Sequence, residues 1–395
     1  MRDVGTIVRG IRTPIIKEGD DLATIVVNSV IKASKSEHFE FEDRDVIAIT
    51  EAVVGISEGN FATLDQIATD VKNKMNSDHL GIVFPILSRN RFAVLLSAFA
   101  RAAKKITLLS SYPSDEVGND ILYNSDLIKY GVNPSVDTIS EEDYVEKYSH
   151  FKHLFTGVNM YEVYKELVEK EGCEFEMVFS NRPETILNYT KTVINCDIHT
   201  RKETKERLLQ AGAAKVLMMS EILNQSVNGS GYSPYGLLGS NRSTENKVKL
   251  FPRTGTALVN KVQAIMKERT GKNVEVMVYG DGAFKDPVGK IWELADPVVS
   301  PAYTEGLEGS PNEIKLKYFS ENKYKDLKGE ALQKAMKEEI RKKDKELKGT
   351  MATQGTTPRR YTDLLGSLCD LTSGSGDKGT PVVLIQRYFT NYSND

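Results

Sequence analysis

Residues Gly81–Pro113, GIVFPILSRNRFAVLLSAFARAAKKITLLSSYP, decide the reading of the fold. An apolar run, Gly81 to Leu87, passes through Ser88-Arg89-Asn90-Arg91 into a stretch from Phe92 whose apolar residues recur at helical spacing. Ile106 to Pro113 is again a short apolar run and reads as a strand. Downstream the same alternation continues: Glu176 to Ser180 as strand, a helix opened by Pro183, Thr192 to Thr200 as strand, a helix over 201–211, and Ala213 to Met219 as strand. Alternating strands and helices predict a parallel sheet covered by helices, so residues 82–225 form an α/β domain. Ligands of such sheets bind beyond the carboxyl ends of the strands, where Asp115, Glu116, Asp197 and His199 fall. The first strand-to-helix turn has no G-x-G-x-x-G, so nothing in it supports a dinucleotide site of the usual kind.

Composition bounds what the chain can be. Its 395 residues exceed one ordinary core, and 40% hydrophobic with 27% charged residues is the balance of a soluble globular protein. A net charge of -3 supplies no excess of cations for nucleic acid. The 3 cysteines (Cys173, Cys196, Cys369) are scattered and odd in number, which predicts reduced thiols and a cytoplasmic protein. No run of apolar residues is long enough to span a membrane, and MRDVGTIVRG has no signal-peptide core.

Outside the α/β stretch, three segments carry chemistry. In VEVMVYGDGAFKDPVGKIWELADPVVSPA (Val274–Ala302) a β-branched strand runs into Tyr279-Gly280-Asp281-Gly282, followed by Lys285, Asp286, Lys290 and Asp296. Carboxylates and lysines at a strand exit suit a hydrated divalent cation and a phosphate, although a polar loop with turn-capping aspartates has the same composition. Near the N-terminus, Gly10 to Asp21 is irregular and ends where Asp20 or Asp21 can cap a helix bearing Leu22, Ile25, Val26 and Val30. Asp43 to Ile49 then reads as a buried strand, and residues 61–80 as a polar helix. In the tail, a helix signalled by Pro358 breaks at Thr372–Thr380, TSGSGDKGT, before the apolar strand PVVLIQ. Such a Gly/Ser loop can wrap phosphate through backbone N–H groups, but Thr380 stands where a Walker lysine belongs. The charged stretch EALQKAMKEEIRKKDKELK carries i,i+4 pairs and predicts a solvated helix. His153 and His199 are the histidines with polar neighbours suited to a role.

Taken together, these segments resemble the coenzyme F420-0:L-glutamate ligases, the γ-glutamyl ligases. Thr13-Pro14-Ile15-Ile16-Lys17-Glu18-Gly19-Asp20-Asp21-Leu22-Ala23 is similar to the family's LPLIKEGDDLAELI, and Asp43 to Ile49 with Ser57-Glu58-Gly59 to its DGDVLVVTQKIVSKAEG. Leu371 to Arg387 resembles LLMGEGGDGIPAVVVRG, and Val276 to Asp281 a strand ending in IITDTNGR. The resemblance covers about 1–60 and 230–395. It implies a discontinuous α+β ligase-like core, residues 1–81 and 226–395, with the α/β domain 82–225 inserted as in a long subfamily. It also implies amide formation between a carboxylate acceptor, F420-0-like or folate-like, and L-glutamate, through an acyl phosphate made with GTP and Mg²⁺ (or Mn²⁺), by a homodimer. Carried over by position, Thr13, Pro14, Ile15, Ile16, Asn241, Gly376, Asp377 and Lys378 become nucleotide contacts, and Asp281 a metal ligand with Asp286 beside it. The family's lysine falls on Ile56, one metal-binding aspartate on Leu238 and an acidic residue on Gly374. These losses favour an alternative, a non-catalytic small-molecule or partner-binding protein on the ligase scaffold; separately, arginines and a histidine near strand ends suit an independent anion site in the inserted domain around Ser88–Arg91, Asp115, Glu116, Asp197 and His199.

Overall fold

The structure is a computed structural model. It describes residues 3–88, 91–116, 118–153, 157–280, 300–343, 345–347, 349–356, 359–372 and 376–393, and the backbone of 283–285 and 292–294. The protein is α/β and divides into two compact units, Met1–Val54 with Thr254–Gly280 and Val299–Asp395, and Gly55–Arg253 with Asp281–Val298. The expected domain limits, 82 and 225, both fall inside the second unit, which also takes in residues 55–81 and 226–253.

The first unit is built on a five-stranded mixed sheet, in the order Ile7–Ile11, Val382–Gln386, Val46–Thr50, Glu275–Tyr279, Ala302–Tyr303. Only the pair Val46–Thr50 and Glu275–Tyr279 is parallel. Side chains alternate between faces, as the two-residue period of a strand requires. Ile47, Ile49, Val276, Val278, Val382 and Leu384 meet the helices Leu22–Glu37 and Gly255–Thr270 through Val26, Val30, Val259 and Met266. Val46, Ala48, Met277, Val383 and Ile385 meet Leu365 and Cys369 of the helix Tyr361–Thr372. With both faces covered, the central strands are apolar throughout, which is why they stand out in the sequence. Asp21 occupies the N-cap position of Leu22–Glu37, but its side chain makes no cap hydrogen bond. It accepts instead from Thr24 Oγ1 at 2.7 Å and pairs with Lys261 at 2.9 Å. The charged helix, Gly329–Lys342, carries the expected Glu338–Lys342 pair at 3.7 Å, yet buries Met336 and Ile340, so one of its faces is packed rather than solvated.

The second unit holds an all-parallel five-stranded sheet: Glu174–Phe179, Lys105–Ser110, His79–Val83, Thr192–Asn195, Lys215–Met218. The first strand in chain order, His79–Val83, lies at the centre. The chain winds outward one way to Lys105–Ser110 and Glu174–Phe179, then crosses back to Thr192–Asn195 and Lys215–Met218. The order therefore reverses between His79–Val83 and Thr192–Asn195. Helix Arg91–Ala102 buries Phe92, Leu95, Leu96 and Phe99 against Leu80, Ile82 and Ile106. On the other face Leu208 and Ile186 pack on Val83, Leu109 and Val193. The segment opened by Pro183 is a short 3-10 helix, Pro183–Asn188, and not the longer helix expected. Residues 61–80 likewise divide, into a strand Phe61–Thr63 and a helix Leu64–Met75. Thr63 and Gln66 close that helix with a reciprocal capping box. Phe61–Thr63 belongs to a second, three-stranded antiparallel sheet with Lys247–Lys249 and Asn241–Thr244. Among the described residues, no helix is long and apolar enough to cross a membrane.

Candidate functional site

The mixed sheet of the first unit gathers segments that are far apart in the chain. Strand Ile7–Ile11 ends where Val382–Gln386 begins, because Ile11 pairs with Val382 in antiparallel register. Val382 in turn pairs with Ile49, next to the last residue of Val46–Thr50, and Thr50 pairs with Tyr279 in parallel register. One end of the sheet therefore receives the Arg12–Ile16 segment, the Gly376–Pro381 loop, Thr50-Glu51 and Tyr279-Gly280. Those are the places where the family-like motifs of the sequence stand.

The contacts tie two of these segments directly. The Thr13 N–H donates to the Gly379 carbonyl at 3.3 Å, and the Thr50 N–H to the Pro381 carbonyl at 2.9 Å. Gly379 closes a tight turn back to Gly376 O at 2.9 Å, and its φ of +63° is one that a side chain would resist. Gly376, Asp377 and Lys378 are exposed around that turn, while Thr380 is buried. Thr13 Oγ1 donates to Pro14 O at 2.8 Å; Pro14 and Ile15 are exposed. Ile16 is buried in the core with Ile11 and Leu22. Thr50 and Glu51 are buried at the same sheet end.

Beside the loop lies a groove of about 790 Å³, lined among others by Arg9, Arg12, Lys32, Lys378 and Glu37. Arg9 stacks its guanidinium over Phe39 at 4.4 Å and donates to Gln386. Four cations against one carboxylate favour an anion, most strongly where water is partly excluded. Of these four, only Lys378 stands in a motif of the sequence. Arg9, Arg12 and Lys32 lie on a strand, its exit and a helix, and no spacing in the sequence links them.

The remaining residues singled out from the sequence stand elsewhere. Asn241 is in the second unit, half-buried in strand Asn241–Thr244 and paired with Lys249. Asp281 and Asp286 lie outside the described residues, as do Asp296, Lys290 and Gly374. Among the described residues no group of three or more His, Cys, Asp or Glu side chains could hold a metal ion. Leu238 is buried and Ile56 half-buried, so neither position offers a polar group where the family motif has one. In the parallel-sheet unit, Asp115 accepts from Leu87 N at 2.9 Å and Asn119 N at 2.8 Å, holding two loops together. His153 is buried and His199 exposed.

A mixed sheet whose one end joins a Gly-turn to a basic groove, in a chain that also carries a parallel-sheet unit, defines an α/β protein equipped for an anionic ligand. The chain belongs to the F420-0:gamma-glutamyl ligase family, whose model matches residues 10–387. No curated protein was found to match it.

Proposed function

We propose that the protein is a nucleotide-dependent γ-glutamyl ligase working at this end of the mixed sheet. The observation that carries the reading is the union of Thr13 with the Gly376–Thr380 turn beside four basic side chains. In the proposed reaction, a carboxylate oxygen of the acceptor attacks the γ-phosphorus of GTP and GDP leaves. The neutral amine of L-glutamate then attacks the acyl carbon of the resulting acyl phosphate; the amide C–N bond forms, the acyl C–O bond breaks with its electrons on the departing inorganic phosphate, and the amine nitrogen gives up a proton to phosphate or solvent. Such chemistry needs positioning and charge neutralisation more than a covalent residue. The backbone N–H groups of Asp377 and Lys378 within the turn, and the Lys378 ammonium, are suited to hold phosphate oxygens. Asp281 and Asp286 are the proposed ligands of a Mg²⁺ or Mn²⁺ ion, which would neutralise phosphate charge when bound. The acceptor is a small F420-0-like or folate-like carboxylate, and the protein acts in the cytoplasm as a homodimer.

Lys378 provides the test. Lys378→Met is expected to weaken GTP binding about tenfold, the scale of one charge-assisted contact to phosphate, without moving the melting temperature of a side chain that is exposed. Unchanged affinity would remove the loop from the nucleotide site.

Leu238 and Ile56 favour a second reading, a nucleotide- or acceptor-binding protein that does not turn over. Nucleotide binding without GDP release in the presence of glutamate and candidate acceptors would select it.

A further inference from the structure

The parallel sheet of the second unit has a site of its own. Its strand order reverses between His79–Val83 and Thr192–Asn195, and open parallel sheets take ligands in the crevice that this reversal leaves at the carboxyl ends of the strands. A cavity of about 190 Å³ lies there. Its floor is Val83 and Leu109, the last residues of their strands or nearly so, and its polar lining includes Ser111, Glu116, Asp197 and Arg207.

The lining selects a class of ligand. Arg207 is already neutralised, donating from Nε and Nη2 to the two Glu184 oxygens at 2.8 and 2.9 Å. A carboxylate, Asp197, already stands before the helix Arg201–Gln210. Asp197 accepts from Thr200 N at 2.9 Å and from the Thr200 and Thr204 hydroxyls, each at 2.6 Å. An anion would therefore meet a guanidinium whose charge Glu184 already balances and the negative charge of Asp197 in front of the helix. Glu116 is different. Its N–H donates to Pro85 O at 3.2 Å, which draws it towards the loop after the central strand, and its carboxylate has no partner among the described residues. Loss of hydration first, then the charges of Asp197 and Asp115, push its pKa up to about 7. A cation would relieve all three. A metal ion does not fit, since no three candidate ligands converge among the described residues. The volume, a few water molecules' worth, suits a short organic chain and excludes a dinucleotide.

We propose that this cavity binds a small primary amine, with the ammonium on Glu116 beside Asp197 and the carbon chain over Val83 and Leu109. This site stands independently of the ligase reading. It also takes the opposite charge to the anion site expected from the sequence around Ser88–Arg91, Asp115, Glu116, Asp197 and His199.

The test uses the full-length protein titrated calorimetrically with 1,4-diaminobutane, with glutarate and ribose as a dianion and a neutral polyol of similar size. The expected result is saturable binding of the diamine alone, weakened at least about tenfold in Glu116→Gln, which keeps the shape of the side chain and removes its charge. Ser111→Phe, which fills the cavity and leaves the carboxylate, should abolish binding as well. Absence of saturable diamine binding, equal binding by Glu116→Gln, or preference for glutarate or ribose would overturn the proposal.

Discussion

Asp281→Asn is expected to lower metal-dependent GTP turnover by at least about a hundredfold, with the melting temperature unchanged. Asp281 follows Tyr279-Gly280 in the chain, and the strand Glu275–Tyr279 runs in parallel register with Val46–Thr50 toward the same sheet end as the Gly376–Pro381 loop. Asparagine has nearly the same shape but no charge. It can still accept hydrogen bonds, so packing is preserved while attraction for a divalent cation is lost. The loss should appear in turnover and in the Mg²⁺ dependence of nucleotide affinity together. Steady-state phosphate release at saturating and limiting Mg²⁺ separates the two. Unchanged turnover would take Asp281 out of the metal site, whatever the resemblance implies.

Asn60→Ala is the largest stability effect expected in the second unit. Asn60 is fully buried, and its amide is used completely. Nδ2 donates to Tyr232 O at 2.9 Å and to Phe251 O at 2.8 Å, while Oδ1 accepts from Tyr232 N and Arg253 Nη1, both at 3.0 Å. One side chain thus fastens the 230–233 turn and the 250–253 segment to the start of strand Phe61–Thr63. Gly231 packs so closely here that a Cβ would sit 2.3 Å from Asn60 Oδ1, so no bulkier residue can enter to compensate. Alanine leaves the buried Phe251 carbonyl and the part-buried N–H and carbonyl of Tyr232 without this partner, each costing about 1 kcal/mol, and the expected sum is about 3 kcal/mol. Urea unfolding followed by circular dichroism should show that loss as a lowered midpoint with little change in slope. A cost below about 1 kcal/mol would mean that water or neighbouring groups take over the bonds.

The parts of this fold legible in the sequence are those in which local pattern and global position agree. The strands His79–Val83 and Lys105–Ser110 announce themselves within the runs Gly81–Leu87 and Ile106–Pro113, because strands of a parallel sheet are covered on both faces and become apolar, although each strand ends before its run does. Val274–Val278 does so for the same reason, in the mixed sheet. Element type failed where polarity misled. Phe61–Thr63 is a three-residue strand swallowed by the polar helix that follows it, and Met336 and Ile340 are too few to betray the packed face of Gly329–Lys342.

The site was legible as segments and not as a geometry. Thr13 and Lys378 carry recognisable motifs, but only strand order brings them together across more than three hundred intervening residues. Arg9, Arg12 and Lys32 had no signal, since isolated surface cations are common and only a shared groove makes them a set. Asp115 and Asp197 looked like ligand-binding carboxylates because they follow strands. Their lone pairs are instead spent on loop N–H groups and on threonine hydroxyls, and composition cannot separate those two uses. Glu116, next to Asp115 in the chain, has a carboxylate with no such partner among the described residues.

Calorimetric titration of the full chain with GTP, repeated with ATP and GDP and with and without Mg²⁺, tests the ligase site most directly. The account predicts micromolar binding of GTP that strengthens with Mg²⁺ and weakens in Lys378→Met. No binding of any of the three nucleotides, with or without the metal, would contradict it and leave the parallel-sheet unit as the functional part of the protein.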